Sequence, residues 1–116
     1  MQATVQAREG ELGDFTATYV RRALEPRLRG HGKIDVRKTG RWGFTILHRY
    51  VSEWNGREVA LHIAQLRPKG PRLGLYWKRA NGRWVPYQDG QDQPFVGTLE
   101  ACLKEIDHDH WGCFWG

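Results

Sequence analysis

The sequence is short of the features that usually disclose a protein's chemistry. It has two cysteines, Cys102 and Cys113, and they form no C-x-x-C pair, so neither a zinc ribbon nor a thioredoxin-type centre is indicated. Ten residues stand between them. A bridge is open but not required, and the plain reading is a small apolar core residue and a reduced thiol. No run of about 18 apolar residues exists to cross a membrane as a helix. Residues Met1 to Glu11 are polar with no apolar stretch, so a cleaved secretory signal is not expected and the default compartment is the cytosol. There is no solenoid repeat, low-complexity tract or phosphate-cradling glycine loop, and no nucleophile stands in a recognisable catalytic motif. Nothing in the chain calls for a cofactor.

What is present is aromatic mass and positive charge. In 116 residues there are six Trp, four Tyr and four Phe, each able to bury about 150–250 Å². One core is within reach without metal or disulfide staples, and the length suits a single domain over residues 13–116 behind a flexible leader of residues 1–12. The formal charge of +5 concentrates the molecule near polyanions. It is uneven: Arg21, Arg22, Arg27, Arg29, Lys33, Arg37, Lys38 and Arg41 face only Glu25 and Asp35 in their segment, whereas Glu100, Glu105, Asp107 and Asp109 make the C-terminus acidic.

Read along the chain, the pattern predicts an α+β fold. Asp14 is a candidate N-cap, and Phe15, Tyr19, Ala23 and Leu24 recur at helical spacing, with Pro26 expected to end or kink the helix at Glu25. Lys33 to Lys38 alternates as a charge-guarded edge strand. Two β-rich runs flank Asn55-Gly56 and two more flank Asn81-Gly82, dipeptides suited to two-residue type I′ turns. In that register Tyr50 faces Leu61, His48 faces Ile63 and Ile46 faces Gln65. In the second hairpin Leu75, Trp77, Trp84 and Pro86 share one face, while Tyr76, Lys78, Arg83, Val85 and Tyr87 share the other. Pro86 marks an edge strand. Arg67-Pro-Lys-Gly-Pro-Arg72 reads as a loop, as does Gln88 to Gly97. Thr98 caps a helix whose stripe is Leu99, Cys102, Leu103 and Ile106, and the aromatic end is expected to tuck against the body. The whole is an antiparallel four- to five-stranded meander with an N-terminal and a C-terminal helix packed on one face.

Particular stretches carry a resemblance. Val59 to Arg67, Leu73 to Tyr87 and the ending Leu99 to Asp109 with Gly112-Cys-Phe-Trp-Gly116 resemble small bacterial proteins of the domain-of-unknown-function family 3024. The strongest points are Gln65-Leu66-Arg67, Leu75-Tyr76-Trp77, Arg83-Trp84, Tyr87, Glu105-Ile106-Asp107, Asp109 and Phe114-Trp115-Gly116. The match covers the C-terminal half and weakens before Phe44. It implies a bacterial cytosolic setting and brings no assigned site residue. His108 and His110 depart from the family pattern, so a metal site there would be specific to this chain.

Three functions are weighed. The first is non-enzymatic, sequence-tolerant nucleic-acid binding, with Arg21, Arg22, Arg37, Lys38 and Arg41 tracking phosphates and Tyr76, Lys78, Arg83 and Tyr87 forming a basic, aromatic sheet face. Its bland counterpart is a buried tyrosine pair with solubilising cations. The second is a protein-interaction module, self-associating through a sheet edge or binding a partner through Trp42 and Trp54. The third is a metal-dependent hydrolase on Asp107, His108, Asp109 and His110, against which stands a salt-bridged helix end, with Arg67 or Arg83 as the acids' partner. His48, expected on the apolar face, reads as a core histidine held by one hydrogen bond before it reads as a catalytic base.

Overall fold

The structure, a computed structural model, describes residues 14–40, 43–88 and 93–115. The element order is α1 (Asp14–Leu28), β1 (Lys33–Thr39), β2 (Gly43–Val51), β3 (Glu58–Lys69), β4 (Arg72–Lys78), β5 (Trp84–Pro86), β6 (Val96–Gly97) and α2 (Leu99–His108). The strands form one antiparallel sheet in the order β1-β2-β3-β4-β5, with β6 added to β4. Val20 and Leu24 of α1 and Cys102 and Ile106 of α2 join Ile46, Leu66, Leu75 and Tyr87 in one core. Both helices therefore cover the same face, as the sequence pattern predicts. No described helix is long and apolar enough to cross a membrane. The leader of residues 1–12 lies outside the described residues.

α1 buries the later part of the expected stripe, Leu24 with Ala23 packed beside it, and not the earlier part. Val20, Leu24 and Leu28 point into the core, spaced four residues apart on one side, while Phe15 is 88% and Tyr19 42% exposed. Pro26 does not stop the helix at Glu25. It lies in the last turn, where the missing N–H costs one hydrogen bond near an end that frays anyway. The helix closes when Arg29 (φ 51°) and Gly30 (φ 86°) turn left-handed and the His31 N–H reaches the Leu28 carbonyl at 2.9 Å. Beside it, the Ile34 N–H donates to Glu25 Oε2 at 3.0 Å and the Ile34 carbonyl accepts from Arg21 Nε at 3.3 Å. Helix side chains thus occupy both backbone groups that this residue of the edge strand turns outward.

Both Asn-Gly turns are longer than two residues. In each, the Asn side chain accepts from the N–H two residues on, Asn55 Oδ1 from Arg57 at 2.9 Å and Asn81 Oδ1 from Arg83 at 3.0 Å. Only the glycine then needs positive φ, 68° at Gly56 and 87° at Gly82. Asn81-Gly82 belongs to a three-residue loop closed by the Arg79 N–H on the Arg83 carbonyl at 2.9 Å, a turn followed by a left-handed glycine. The pairs are therefore Trp77↔Val85 and Lys78↔Trp84. One residue of slip moves every β5 side chain to the opposite face. Tyr87 goes into the core and Trp84 comes out beside Tyr76 and Lys78.

In the first hairpin Tyr50 pairs with Val59 and His48 with Leu61. The extra residue Ile63 forms a bulge between the Ile46↔Ala64 and Leu47↔His62 pairs. Beyond it the parity of β3 changes, so Leu66 is buried in the core and Gln65 turns to the far face opposite Thr45.

Arg67 to Arg72 is not a loop. β3 and β4 run into it and reverse over Gly70-Pro71, with Lys69 facing Arg72, and Gly70 at φ 62° holds the first turn position, which a type II′ turn reserves for glycine. Pro68 is tolerated for a geometric reason. The Leu75 N–H goes outward to the Phe95 carbonyl at 3.1 Å and its carbonyl outward to the Tyr87 N–H at 2.8 Å. Leu66↔Leu75 is thus a non-bonded pair, and by alternation so is Pro68↔Leu73. The proline nitrogen points away from β4. The same Phe95 contact starts β6, a two-residue strand inside the stretch read as a loop.

α2 is as expected: Thr98 Oγ1 accepts from the Ala101 N–H at 3.1 Å, and Cys102, Leu103 and Ile106 are buried. After it Asp109 turns left-handed (φ 49°). Its two carboxylate oxygens accept from the Phe114 and Trp115 N–H groups, each at 3.0 Å, and Trp115 Nε1 donates to the Ile106 carbonyl at 2.9 Å. Phe114 is seated in the core 5.0 Å from the Tyr87 ring. Trp111 is exposed, so only part of the aromatic end is tucked in.

Candidate nucleic-acid interface

Pairing parity assigns the side chains of the sheet face opposite the helices. Lys33, Asp35 and Arg37 come from β1, Thr45, Leu47 and Arg49 from β2, and Glu58, His62, Gln65, Arg67 and Lys69 from β3. Arg72, Gly74, Tyr76 and Lys78 of β4 and Trp84 and Pro86 of β5 lie on the same face, as do Thr39, Val51 and Ala60. Among the described residues no helix lies over this face. It holds seven Lys and Arg against two carboxylates, a surplus equal to the formal charge of the whole chain.

The charge is not spread evenly across the face. On the β1–β2 side Asp35 Oδ2 receives Arg49 Nε at 2.9 Å and Arg37 Nε at 3.1 Å, and Arg49 also reaches Glu58 at 3.5 Å. Burial draws the Asp35 carboxyl upward, but the two guanidinium hydrogen bonds and charges outweigh it and hold the group below its ordinary value. On the β3–β4 side Arg67, Lys69, Arg72 and Lys78 have no carboxylate partner among the described residues. Lys69 and Arg72 are paired directly across the ribbon, where like charges are unfavourable.

These cations are held by aromatic rings and neutral polar groups. Thr39 and Thr45 share a hydrogen bond between hydroxyls, Gln65 Nε2 donates to Thr45 Oγ1 at 3.1 Å, and Arg67 Nε donates to Gln65 Oε1 at 2.6 Å. The Arg67 guanidinium lies 4.1 Å over the Tyr76 ring, a cation–π contact that also shields the ring. Lys69 also approaches this ring, its ammonium 5.8 Å from the centroid. Gly74 makes the route: a Cβ there would lie 3.0 Å from Lys69 Cγ and 3.3 Å from Tyr76 Cε1.

At the other end, Lys78 Nζ stands 3.3 Å from His62 Nδ1 and 5.8 Å from the Trp84 ring. The His62 ring meets Trp84 edge-on at 5.8 Å. An ammonium only donates, so Nδ1 accepts and the imidazole proton sits on Nε2. Burial, then the Lys78 charge, push the His62 pKa below its ordinary value.

Of the residues chosen from sequence, Tyr76 and Lys78 do lie together on this face, and Arg37 lies across it in the acid-paired half. Tyr87 does not: it is buried, and its hydroxyl donates to Glu105 Oε1 at 2.7 Å. Arg83 belongs to the turn, Lys38 to the helix-side parity at the end of β1, and Arg21 and Arg22 to α1. Arg41 and Trp42 lie outside the described residues. Gln65, Arg67, Lys69, Arg72, His62 and Trp84 were not chosen. The bulge decides the side of Gln65 and Arg67, and the three-residue turn decides that of Trp84; Lys69 and Arg72 stand in the stretch read as a loop, and His62 lies ahead of the bulge on the outer side that its hairpin position gives it. The signal available was charge and aromatic content in Arg67 to Arg72 and Arg83-Trp84, obscured by reading the first as a loop.

The terminal acids have other work. Asp109 is taken up by backbone amides, and Asp107 stands 3.9 Å from Arg27 of α1, not from Arg67 or Arg83. His108 and His110 stack with ring centroids 5.4 Å apart. Among the described residues no three His, Cys, Asp or Glu side chains converge to hold an ion. His48 is half-buried, pairs with Leu61 and not Ile63, and its Nε2 donates to the His31 carbonyl at 2.6 Å. Both cysteines are free, and burial pushes the Cys102 thiol up to about 11, which makes it a core group and a poor nucleophile.

Neither the comparison with curated proteins nor that with solved structures gives a match. The model of a family described as Domain of unknown function (DUF3024) matches residues 2–116, well beyond the C-terminal half in which the resemblance is visible by eye, and the chain belongs to that family.

Proposed function

We propose that this protein binds nucleic acid in a sequence-tolerant, non-enzymatic way through the helix-free face of its sheet. The observation that carries the reading is the patch of Arg67, Lys69, Arg72 and Lys78, four cations on one β-ribbon with no carboxylate partner among the described residues. Cations in such an array neutralise phosphates and release the counterions condensed on the nucleic acid. Stacked guanidinium and ammonium groups on Tyr76 are held in place, which lowers the entropy lost on binding.

The test is binding of labelled single-stranded and duplex oligonucleotides across a salt series, with Lys69→Glu/Arg72→Glu beside the native chain. Affinity should fall linearly in log–log salt, and the double variant should flatten the slope by about two phosphate contacts' worth. No binding to any oligonucleotide at low salt, or an unaffected double variant, rejects the reading.

The exposure of Phe15, Tyr19 and Trp54, the last at 97%, favours a second reading as a protein-interaction module. Under it Phe15→Ser/Tyr19→Ser abolishes capture of a partner from native lysate while leaving oligonucleotide binding intact. Unchanged capture discards it.

A further inference from the structure

We infer that Trp84, Lys78 and His62 form a nucleotide station for single-stranded nucleic acid, in which a base stacks on the indole and the adjoining phosphate is held between the ammonium and the imidazole. The inference rests on the reading of the basic face as a nucleic-acid surface and says what that surface takes.

Three adjacent strands supply one side chain each. Lys78 and Trp84 are directly paired across β4 and β5, and His62 closes on both from β3, 3.3 Å from Lys78 Nζ and 5.8 Å from the Trp84 ring. Trp84 and Lys78 are partly exposed and His62 is exposed, so the cluster is open to solvent. Lys78 donates to Nδ1, which fixes the imidazole proton on Nε2 and makes the neutral ring a second donor. Two donors therefore stand together with no described carboxylate bonded to either, an arrangement that a phosphate oxygen completes. The depressed pKa of His62 agrees with a ring that meets the anion as a neutral donor.

The rest of the face explains why the partner is single-stranded. Tyr76 is closed by Arg67 and Tyr87 is in the core, so among the described residues Trp84 is the aromatic of this face left for a base. In a duplex the base faces are stacked on one another, and presenting one to the indole requires unstacking. In a single strand every base has a face available, and stacking is indifferent to sequence.

Fluorescence anisotropy on the full chain decides it, with a labelled oligothymidylate, an abasic phosphodiester strand of equal length and a duplex as probes. Oligothymidylate should bind tighter than the abasic strand. Trp84→Ala should remove that advantage, a loss on the order of 10- to 100-fold, with abasic affinity unchanged, and Trp84→Phe should keep most of it. Lys78→Ala/His62→Ala should weaken both strands. Should Trp84→Ala unfold, indole quenching on adding oligothymidylate serves instead, strong in the native chain and reduced in Trp84→Phe. If Trp84→Ala binds oligothymidylate normally, if native and Trp84→Phe quench alike, or if the duplex binds tighter than the single strand, the station is wrong. In that case sensitivity to Lys69→Glu/Arg72→Glu still upholds the basic face. Failure to bind any of the three probes brings down both.

Discussion

The Tyr87 hydroxyl donates to Glu105 Oε1 at 2.7 Å, joining the residue after β5 to α2 through the core. Tyr87→Phe should destabilise the fold by about 1.5–3 kcal/mol, the range for a hydrogen bond to a charged acceptor. The same contact sets an alkaline limit. Burial, then Glu105, raise the Tyr87 pKa above its ordinary 10.0, and burial raises Cys102 from 9.0 to about 11. Above those ordinary values the unfolded chain loses protons that the folded chain keeps, so stability falls as pH rises from about 9. Urea titrations between pH 8 and 11 should show that fall, and Tyr87→Phe should lessen its upper part.

Asp109 organises the chain after α2. Asp109→Ala removes two charge-assisted acceptors and places a Cβ-bearing residue without a local hydrogen bond at φ 49°, so a loss of about 3 kcal/mol is expected. Asp109→Asn, which tolerates that conformation and keeps one acceptor, should lose less than half as much. Thermal denaturation followed by near-ultraviolet circular dichroism, sensitive to Trp115, measures both.

Disulfide trapping tests the register of β4 and β5. Lys78→Cys/Trp84→Cys should oxidise readily, because the observed pair is non-bonded and its Cα atoms are close. Lys78→Cys/Val85→Cys, the pair of a two-residue turn, should stay reduced under the same conditions. The reverse pattern would restore the register read from the sequence.

Asp35 sets an acid limit. Its two arginines hold its pKa below the ordinary 3.8 despite the opposing effect of burial, so its contribution is complete above that value and is lost as pH falls below it. Asp35→Asn should flatten the acid side of the stability–pH curve between about pH 4 and 2, with little change near neutrality beyond the loss of the pair itself.

The composition of the sheet and the placing of the helices were legible because they rest on repetition. Cys102, Leu103 and Ile106 repeat at helical spacing, and the strands around Tyr50 and Leu75 are long and β-branched or aromatic. What escaped depends on single residues. An Asn side chain that accepts from the N–H two residues on lengthens a turn without changing its Asn-Gly signature, and that sent Trp84 and Tyr87 to the wrong faces. Ile63, one residue in excess, moved Gln65 out and Leu66 in. The prolines of Arg67 to Arg72 hid a ribbon, because whether proline is tolerated depends on which way its nitrogen points, and that parity is fixed only by Phe95 and Tyr87 far along the chain. The candidate site lies where these three effects meet.

The capping of Ile34 by Glu25 and Arg21 bears on crowding. Only Val36 and Lys38 of β1 turn further backbone groups to the open edge. A second copy pairing there about Val36 would need the groups of Ile34 already occupied, and pairing about Arg37 or Lys38 would set like charges opposite one another. At the far edge, β5 is three residues long and contains Pro86. Among the described residues, copies at high concentration therefore find little unguarded strand edge on which to polymerise, and crowding need not become aggregation.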